Sequence, residues 1–140
     1  MPDLFVVAID GNCKGYNERL EQLRKLIKPA DSFREQIVFA VPDPHIERWY
    51  LMDQRALKAA TGLEGTPEMP PYKCKKSHYK QALRDALSPP PLRSLLGGAE
   101  FAERIVQNMA NLEALGNFNA SFDKLIADLR ASFRRYRQML

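Results

Sequence analysis

Five side chains able to bind a metal ion or move a proton follow two short apolar runs near the start of the chain. They are Asp10 and Asn12 after the first run, and Asp43, His45 and Glu47 after the second. Carboxylate and amide oxygens suit Mg²⁺ or Mn²⁺, whereas Zn²⁺ prefers cysteine and histidine. The four oxygen-bearing members therefore predict a divalent cation site, with His45 as a candidate proton carrier because its ordinary pKa of about 6.5 lies near neutrality.

The same residues also fit a structural interpretation. Asp10 and Asn12 are typical of an Asx turn that precedes a helix. His45 and Glu47 are typical of a helix start with an acid near its positive end. Trp49, one turn after His45, is predicted to be a core anchor rather than a surface on which a base stacks.

The two apolar runs must be strands for this site to form. Leu4 to Ile9 and Ile37 to Val41 are rich in β-prone residues, and Tyr16 to Ile27 between them carries apolar residues at helical spacing. A strand, helix, strand order predicts two parallel strands, whose carboxyl ends meet at one edge. Because Leu4 to Ile9 does not alternate with polar residues, we expect that strand to be covered on both faces.

The rest of the chain is predicted to be mainly helical. His45 to Asp53 and Gln54 to Thr61 are expected to form two short helices or one bent helix. Further helices are expected over Ser77 to Leu87, Ala99 to Leu115, and a long final segment capped by Asn119 or Ser121. Prolines predict loops over Glu64 to Tyr72 and Ser88 to Pro91. We expect an α/β fold in one domain, residues 1–140, with a βαβ unit in 1–44 and a helical portion in 45–140. Two strands leave open edges, which predicts a homo-oligomer, a partner chain or further strands.

Charge is concentrated in two basic clusters, although the whole chain carries only +4. One cluster contains Lys73, Lys75, Lys76, Lys80 and Arg84, with no acidic residue among them. It predicts contact with the phosphates of a nucleic acid, without recognition of sequence. The other cluster, Arg130 to Arg137, has two possible interpretations. It either contacts nucleic acid as well, or its positive charges only complement the negative end of a helix dipole.

Length and composition bound the class of protein. The chain has 140 residues, 45% of them hydrophobic, and two cysteines. Its longest apolar run is far shorter than the roughly 20 residues of a membrane span, and no signal peptide is evident. Cys13 and Cys74 lie far apart without a partner at metal-ligand spacing, and two cysteines in a chain without a signal peptide are more often free than bridged, so free thiols are expected. We expect a soluble cytoplasmic protein without membrane contact.

Two segments resemble a family of Toprim-like bacterial proteins that are related to the Toprim nucleases of phage-defence systems. The first is Val6 to Asn12, and the more specific one is Pro42 to Asp53, with its Pro-His-Ile-Glu-Arg-Trp string. Asn117 to Leu125 is similar to the closing helix of that family. The resemblance implies a metal centre for phosphodiester chemistry, in which an Asp-x-Asp pair acts with a Glu from an earlier strand.

The chain departs from that pattern at two positions. Asp10 matches the first Asp, but Asn12 stands at the second, so one negative charge is lost. The first strand also begins too soon after Met1 for an earlier strand with a Gly-flanked Glu. We therefore expect catalysis by Asp10, Glu47 and His45 to need that Glu from elsewhere, such as a partner chain.

The sequence supports two candidate functions. One is a Mg²⁺- or Mn²⁺-dependent nuclease or phosphotransfer protein on a Toprim-like scaffold. The alternative is a non-catalytic subunit derived from that scaffold, which binds nucleic acid or a protein.

Overall fold

The computed structural model describes residues 4–27, 33–65, 67–87, 96 and 98–138. It shows a mixed α/β protein with a two-stranded parallel sheet and a mainly helical remainder. The described residues divide into two compact units. Unit 1 combines residues 1–44 with 113–140, and unit 2 covers 45–112.

The sheet of unit 1 follows the predicted βαβ order. The elements are β1 (Phe5–Ala8), α1 (Tyr16–Leu26) and β2 (Ile37–Ala40). The strands are parallel, with Phe5 paired to Ile37 and Ala8 paired to Ala40. The parallel pairing that brings both carboxyl ends to one edge is therefore confirmed.

The expectation that β1 is covered on both faces is wrong. Phe5 and Val6 are 47% and 53% exposed, while Val38 and Ala40 of β2 are buried. Both strands are edge strands of this two-stranded sheet, and the difference arises because the long helix of this unit packs on β2. Phe5 meets the ring of Phe33 edge-on, and that ring is exposed as well.

Unit 1 is completed by α6 (Leu112–Gly116) and α7 (Ala120–Gln138). Asn119 caps α7, because its Oδ1 accepts hydrogen bonds from the backbone N–H groups of Ser121 and Phe122. Phe122 is buried, and α7 packs against β2. Of the two capping residues that the sequence left open, Asn119 is therefore the one that caps the helix.

Unit 2 is formed by short helices around one apolar core. They are α2 (Ile46–Met52), α3 (Gln54–Thr61), α4 (His78–Ala86) and α5 (Ala102–Asn108), with a 3₁₀ turn at Ala99–Phe101. The core side chains include Leu51, Leu57, Leu83 and Ile105, all at most 2% exposed. Helix α3 covers Gln54–Thr61 as predicted, and Gly62 ends it in the left-handed conformation, with φ 75°.

The single helix predicted over Ala99 to Leu115 is interrupted. Helical structure stops after Asn108, and Met109 has an extended backbone with ψ 114°. The side-chain amide of Asn108 donates to the carbonyl of Arg104 over 2.8 Å, which competes with the helical hydrogen bond to the same oxygen. The loop predicted at Ser88 to Pro91 lies outside the described residues. In the part of the chain that is described, no helix has the length and apolar character needed to cross a membrane.

Candidate functional site

The loops that follow β1 and β2 lie side by side in unit 1. Hydrogen bonds continue beyond the strands, from the N–H of Gly11 to the carbonyl of Pro42 at 2.8 Å and from the N–H of Asn12 to the carbonyl of Pro44 at 2.9 Å. These bonds hold residues 10–12 against residues 42–44. The structure therefore brings together the segments that carry Asp10, Asn12 and Asp43.

Asp43 lies against the backbone of the first loop. A Cβ added at Gly11 would stand 3.2 Å from Asp43 Oδ1 and 3.1 Å from the carbonyl oxygen of Pro42. Glycine favours this approach, because a side chain here would press on both oxygens and they would have to move by a few tenths of an ångström. The glycine between Asp10 and Asn12 thus lets the two acidic loops approach closely.

Asp10 and Asn12 are held in different ways. The backbone carbonyl of Asp10 accepts a hydrogen bond from Arg19 Nε at 3.1 Å, which ties the loop to α1. Asn12 is exposed and adopts a left-handed conformation with φ 48°. That conformation is typical of asparagine in a tight turn, so the structural interpretation of this residue agrees with its geometry.

His45 and Glu47 belong to unit 2, at the start of α2. His45 is the N-cap residue, with an extended backbone at φ −145°, and Glu47 lies in the first turn, where an acid complements the helix dipole. The predicted set of metal ligands is therefore divided between the two units. Among the residues that the structure describes, no group of three or more His, Cys, Asp or Glu side chains is arranged to hold a metal ion.

Two further residues of the predicted region have structural roles. Trp49 is 5% exposed, in agreement with its prediction as a core anchor. Asp53, which ends the Pro42 to Asp53 segment, is buried and caps α3 by accepting a hydrogen bond from the N–H of Ala56 at 2.9 Å.

Both cysteines are disulfide-bonded, so the expectation of free thiols is wrong. That expectation rested on the lack of a signal peptide and of a partner at metal-ligand spacing. Both features reflect how cysteines are used on average and do not determine the oxidation state of a particular thiol.

Comparisons with family models, with curated proteins and with solved structures give no match. The Toprim-like resemblance therefore stays a prediction.

The predicted phosphate-binding lysines lie together on one exposed stretch of unit 2. Lys73, Lys75, Lys76 and Lys80 are all exposed, and none forms an ion pair within the described part of the chain. We call residues 71–80 the lysine segment. It runs from an irregular stretch, 71–77, into the first turn of α4.

Tyr79 holds the lysine segment in place. This tyrosine is completely buried, and its hydroxyl accepts a hydrogen bond from the N–H of Lys73 at 3.0 Å. The same hydroxyl donates to the carbonyl of Pro71 at 3.4 Å. A core residue therefore fixes the backbone of the segment at two points.

An aromatic and cationic pair adjoins the lysines. Tyr72 is 55% exposed, and the guanidinium carbon of Arg48 lies 4.9 Å from the centre of its ring, within the range of a cation–π contact. Neither residue was predicted from the sequence to take part in binding. Tyr72 carried a signal, since it directly precedes Lys73, whereas nothing in the sequence placed Arg48 beside it.

Unit 1 also contains an open groove of about 510 Å³ along α1, β2 and α7, which the sequence did not predict. Its walls carry the cations Arg24, Lys25, Arg34 and Arg135 and the acids Glu21 and Asp128. Both signs of charge are present, so the groove does not select strongly for an anion.

Tyr16 lies near this mixture of charges, on α1. Burial raises the pKa of its hydroxyl above the ordinary value of 10.0, and the negative charge of Asp128 raises it further, while Arg24 acts in the opposite direction.

The C-terminal arginines are partly occupied by contacts within the chain. Arg130 forms an ion pair with Glu113 at 2.6 Å. Arg135 donates to the carbonyl of Glu35 at 3.0 Å and to the hydroxyl of Ser132 at 3.2 Å. These arginines are therefore weaker candidates for phosphate contacts than the lysine segment.

Proposed function

We propose that the protein binds nucleic acid through the lysine segment, as a non-catalytic binding subunit. The observation that carries this proposal is the set of four exposed lysines on a backbone that buried Tyr79 holds in one shape. No acidic residue occurs from Met69 to Arg84 to neutralise them. A fixed row of positive charge attracts the phosphate backbone, and it loses little conformational freedom on binding.

Tyr72 favours a single-stranded ligand. Its ring is more than half exposed, and Arg48 already stacks on it. Proteins that bind single strands combine a cationic track with aromatic rings on which bases stack, whereas the bases of a duplex are not accessible for stacking. We therefore expect lysine contacts to phosphates and stacking of one base on Tyr72, without recognition of sequence.

A fluorescence anisotropy titration with labelled single-stranded DNA and RNA, repeated over a range of salt concentrations, tests this function. Lys76→Gln should weaken binding to all sequences and reduce the slope of log affinity against log salt by about one. Lys124→Gln is the matched control, because Lys124 is an exposed lysine of α7 outside the segment. Tyr72→Ala should weaken binding to single strands more than binding to duplexes.

The absence of binding at low salt would contradict the proposal. Equal losses in Lys76→Gln and Lys124→Gln would also contradict it, because they would show a response to total charge rather than to the lysine segment.

A second candidate function is metal-dependent phosphodiester chemistry at the edge formed by Asp10 and Asp43. It is favoured by the hydrogen bonds that join their two loops and by the close approach of Asp43 Oδ1 to Gly11. Asp10, Asn12 and Asp43, all in unit 1, could offer oxygen ligands to Mg²⁺ or Mn²⁺. A bound ion would polarise a phosphoryl oxygen and lower the pKa of a coordinated water. The Toprim-like resemblance adds the expectation of a further Glu from a partner chain.

Calorimetry with Mn²⁺, together with a nuclease assay, separates the two functions. If the second applies, Asp43→Asn should abolish metal binding, and Asp85→Asn, at an exposed position of α4, should not. Binding of nucleic acid without metal uptake or cleavage would leave only the binding function. Cleavage that persists in Asp43→Asn would contradict a role for this edge.

A further inference from the structure

Helix α7 carries a regular apolar stripe that the protein covers only in part. Its members alternate in steps of four and three residues, namely Phe122, Ile126, Leu129, Phe133 and Tyr136. This is the spacing of the seam at which two helices of a coiled coil meet. Phe122 is buried and Ile126 and Leu129 are half-buried, but Phe133 and Tyr136 are 58% and 49% exposed. We call the last four of these residues the α7 seam.

The sheet does not cover this seam because α7 packs on β2 with a different side. That side carries small or polar residues, with Ser121 and Ser132 buried and Ala131 and Asp128 lining the groove beside β2. At 3.6 residues per turn, the centre of the seam is rotated by about a third of a turn from the groove side. The exposed large side chains of the helix, Phe133 and Tyr136, therefore lie away from the side that packs against β2.

Charged residues beside the seam indicate what covers it. Asp123, Arg130 and Arg137 follow one flank of the seam at intervals of seven residues. In a symmetric antiparallel pair, this flank of one copy faces the same flank of the other. Asp123 of each copy therefore meets Arg137 of the other copy. Arg130 lies near the two-fold axis, and its own Glu113 compensates its charge at 2.6 Å. The opposite flank carries Leu125 and the buried Ser132, so it offers no charges for a parallel arrangement.

We propose that the α7 seam binds a second copy of this chain, whose own α7 runs antiparallel to the first. Ile126 then packs against Tyr136 of the other copy, and Leu129 packs against Phe133. Two ion pairs, each between Asp123 and Arg137, flank these apolar layers. The seam covers only about two heptads, and stable coiled coils need three to four or more, so the dimer is weak and depends on concentration. This inference does not rest on nucleic-acid binding.

Sedimentation equilibrium of the full chain over a range of concentrations tests the surface. The wild-type protein should show a reversible monomer–dimer equilibrium. Phe133→Glu should weaken dimerisation by at least about tenfold, because it places a charge within the apolar layers. Phe118→Glu is the matched control, because Phe118 is 74% exposed but precedes the start of α7. A wild-type protein that stays monomeric at every concentration would overturn the proposal, as would equal effects of the two variants.

Charge reversal tests the antiparallel orientation. Asp123→Arg and Arg137→Asp should each dimerise poorly alone, because each brings like charges together. An equimolar mixture of the two variants should form a heterodimer, since both ion pairs are then restored with reversed sign. Circular dichroism of each variant should show unchanged helicity, and Arg137→Asp, in the exposed last turn, is the variant least able to disturb folding. If the wild type dimerises but the mixture does not, the antiparallel arrangement is wrong.

Discussion

The backbone N–H of Asp43 donates a hydrogen bond of 3.1 Å to the side-chain oxygen of Ser121, which lies 78 residues further along the chain. Ser121 in turn donates from its hydroxyl to Asn119 Oδ1 at 2.7 Å. Ser121 and Asn119 are each 4% exposed. This chain of bonds connects the acidic loop after β2 with the N-terminal cap of α7, so the position of Asp43 depends on a helix near the far end of the sequence.

Replacing Ser121 by Ala should lower the free energy of unfolding by about 1 kcal/mol, because the partly buried N–H of Asp43 then loses this acceptor. Chemical denaturation measures this change. Ser77→Ala is the control, since Ser77 is exposed and its side chain does not cap α4; a change below about 0.5 kcal/mol is expected there. Equal effects at the two positions would contradict the role assigned to Ser121.

Gly11→Ala should destabilise the protein by about 1–3 kcal/mol, because the new methyl group would press on the carbonyl of Pro42 and the carboxylate of Asp43. The matched variant is Gly65→Ala, where nothing lies within 4 Å of the added methyl and the backbone angle is not positive. That change should be neutral or slightly stabilising. Thermal unfolding of the two variants checks the difference, and a tolerated Gly11→Ala would show that the two loops are less closely apposed.

Asn119→Ala should cost about 1–2 kcal/mol, because it removes the oxygen that caps the first turn of α7. Far-ultraviolet circular dichroism during urea titration gives this value. Asn117→Ala, at an exposed position two residues earlier, should change stability by less than about 0.5 kcal/mol. A stable Asn119→Ala protein would contradict the capping assignment.

Tyr79→Phe should weaken nucleic-acid binding severalfold while it lowers stability by only about 1 kcal/mol, because it removes the hydroxyl that fixes Lys73 and Pro71 but keeps the buried ring. Anisotropy titrations and denaturation curves measure the two quantities. Tyr136→Phe, which alters an exposed hydroxyl on α7, is the control. If Tyr79→Phe binds as tightly as the wild type, the fixed shape of the lysine segment has no part in binding. This prediction rests on the proposed nucleic-acid function.

Alkaline pH should destabilise the protein partly through Tyr16. Because the pKa of Tyr16 is raised in the folded state, the unfolded chain loses this proton first. The contribution of Tyr16 is complete below pH 10, the ordinary value, and is lost as the pH rises through the higher folded pKa. Tyr16→Phe should therefore reduce the loss of stability above pH 10, measured by urea denaturation across that range. An identical alkaline profile for the variant would show that Tyr16 titrates normally.

Local sequence patterns predicted the elements of this protein closely. The parallel βαβ order agrees with the structure, and the helices predicted over Tyr16 to Ile27 and Ser77 to Leu87 differ from α1 and α4 by at most one residue at each end. The cap at Asn119 is one of the two that were predicted. Such features depend on interactions between residues a few positions apart, namely helical periodicity, capping and proline geometry. The same patterns overestimated the length of the helix predicted over Ala99 to Leu115. There the side-chain amide of Asn108 donates to the carbonyl of Arg104 and competes with the helical hydrogen bond.

The sequence by itself determined which segments become strands and helices, and which polar residues follow the strands. Only the tertiary structure decided that Phe5 and Val6 stay exposed, that Gly11 lies against Asp43, and that Arg48 stacks on Tyr72. The physical reason is that burial and long-range contacts depend on how elements distant in sequence pack together. An apolar run indicates that burial of one face of a strand or helix is favourable. It does not determine whether another element of the chain packs on that face.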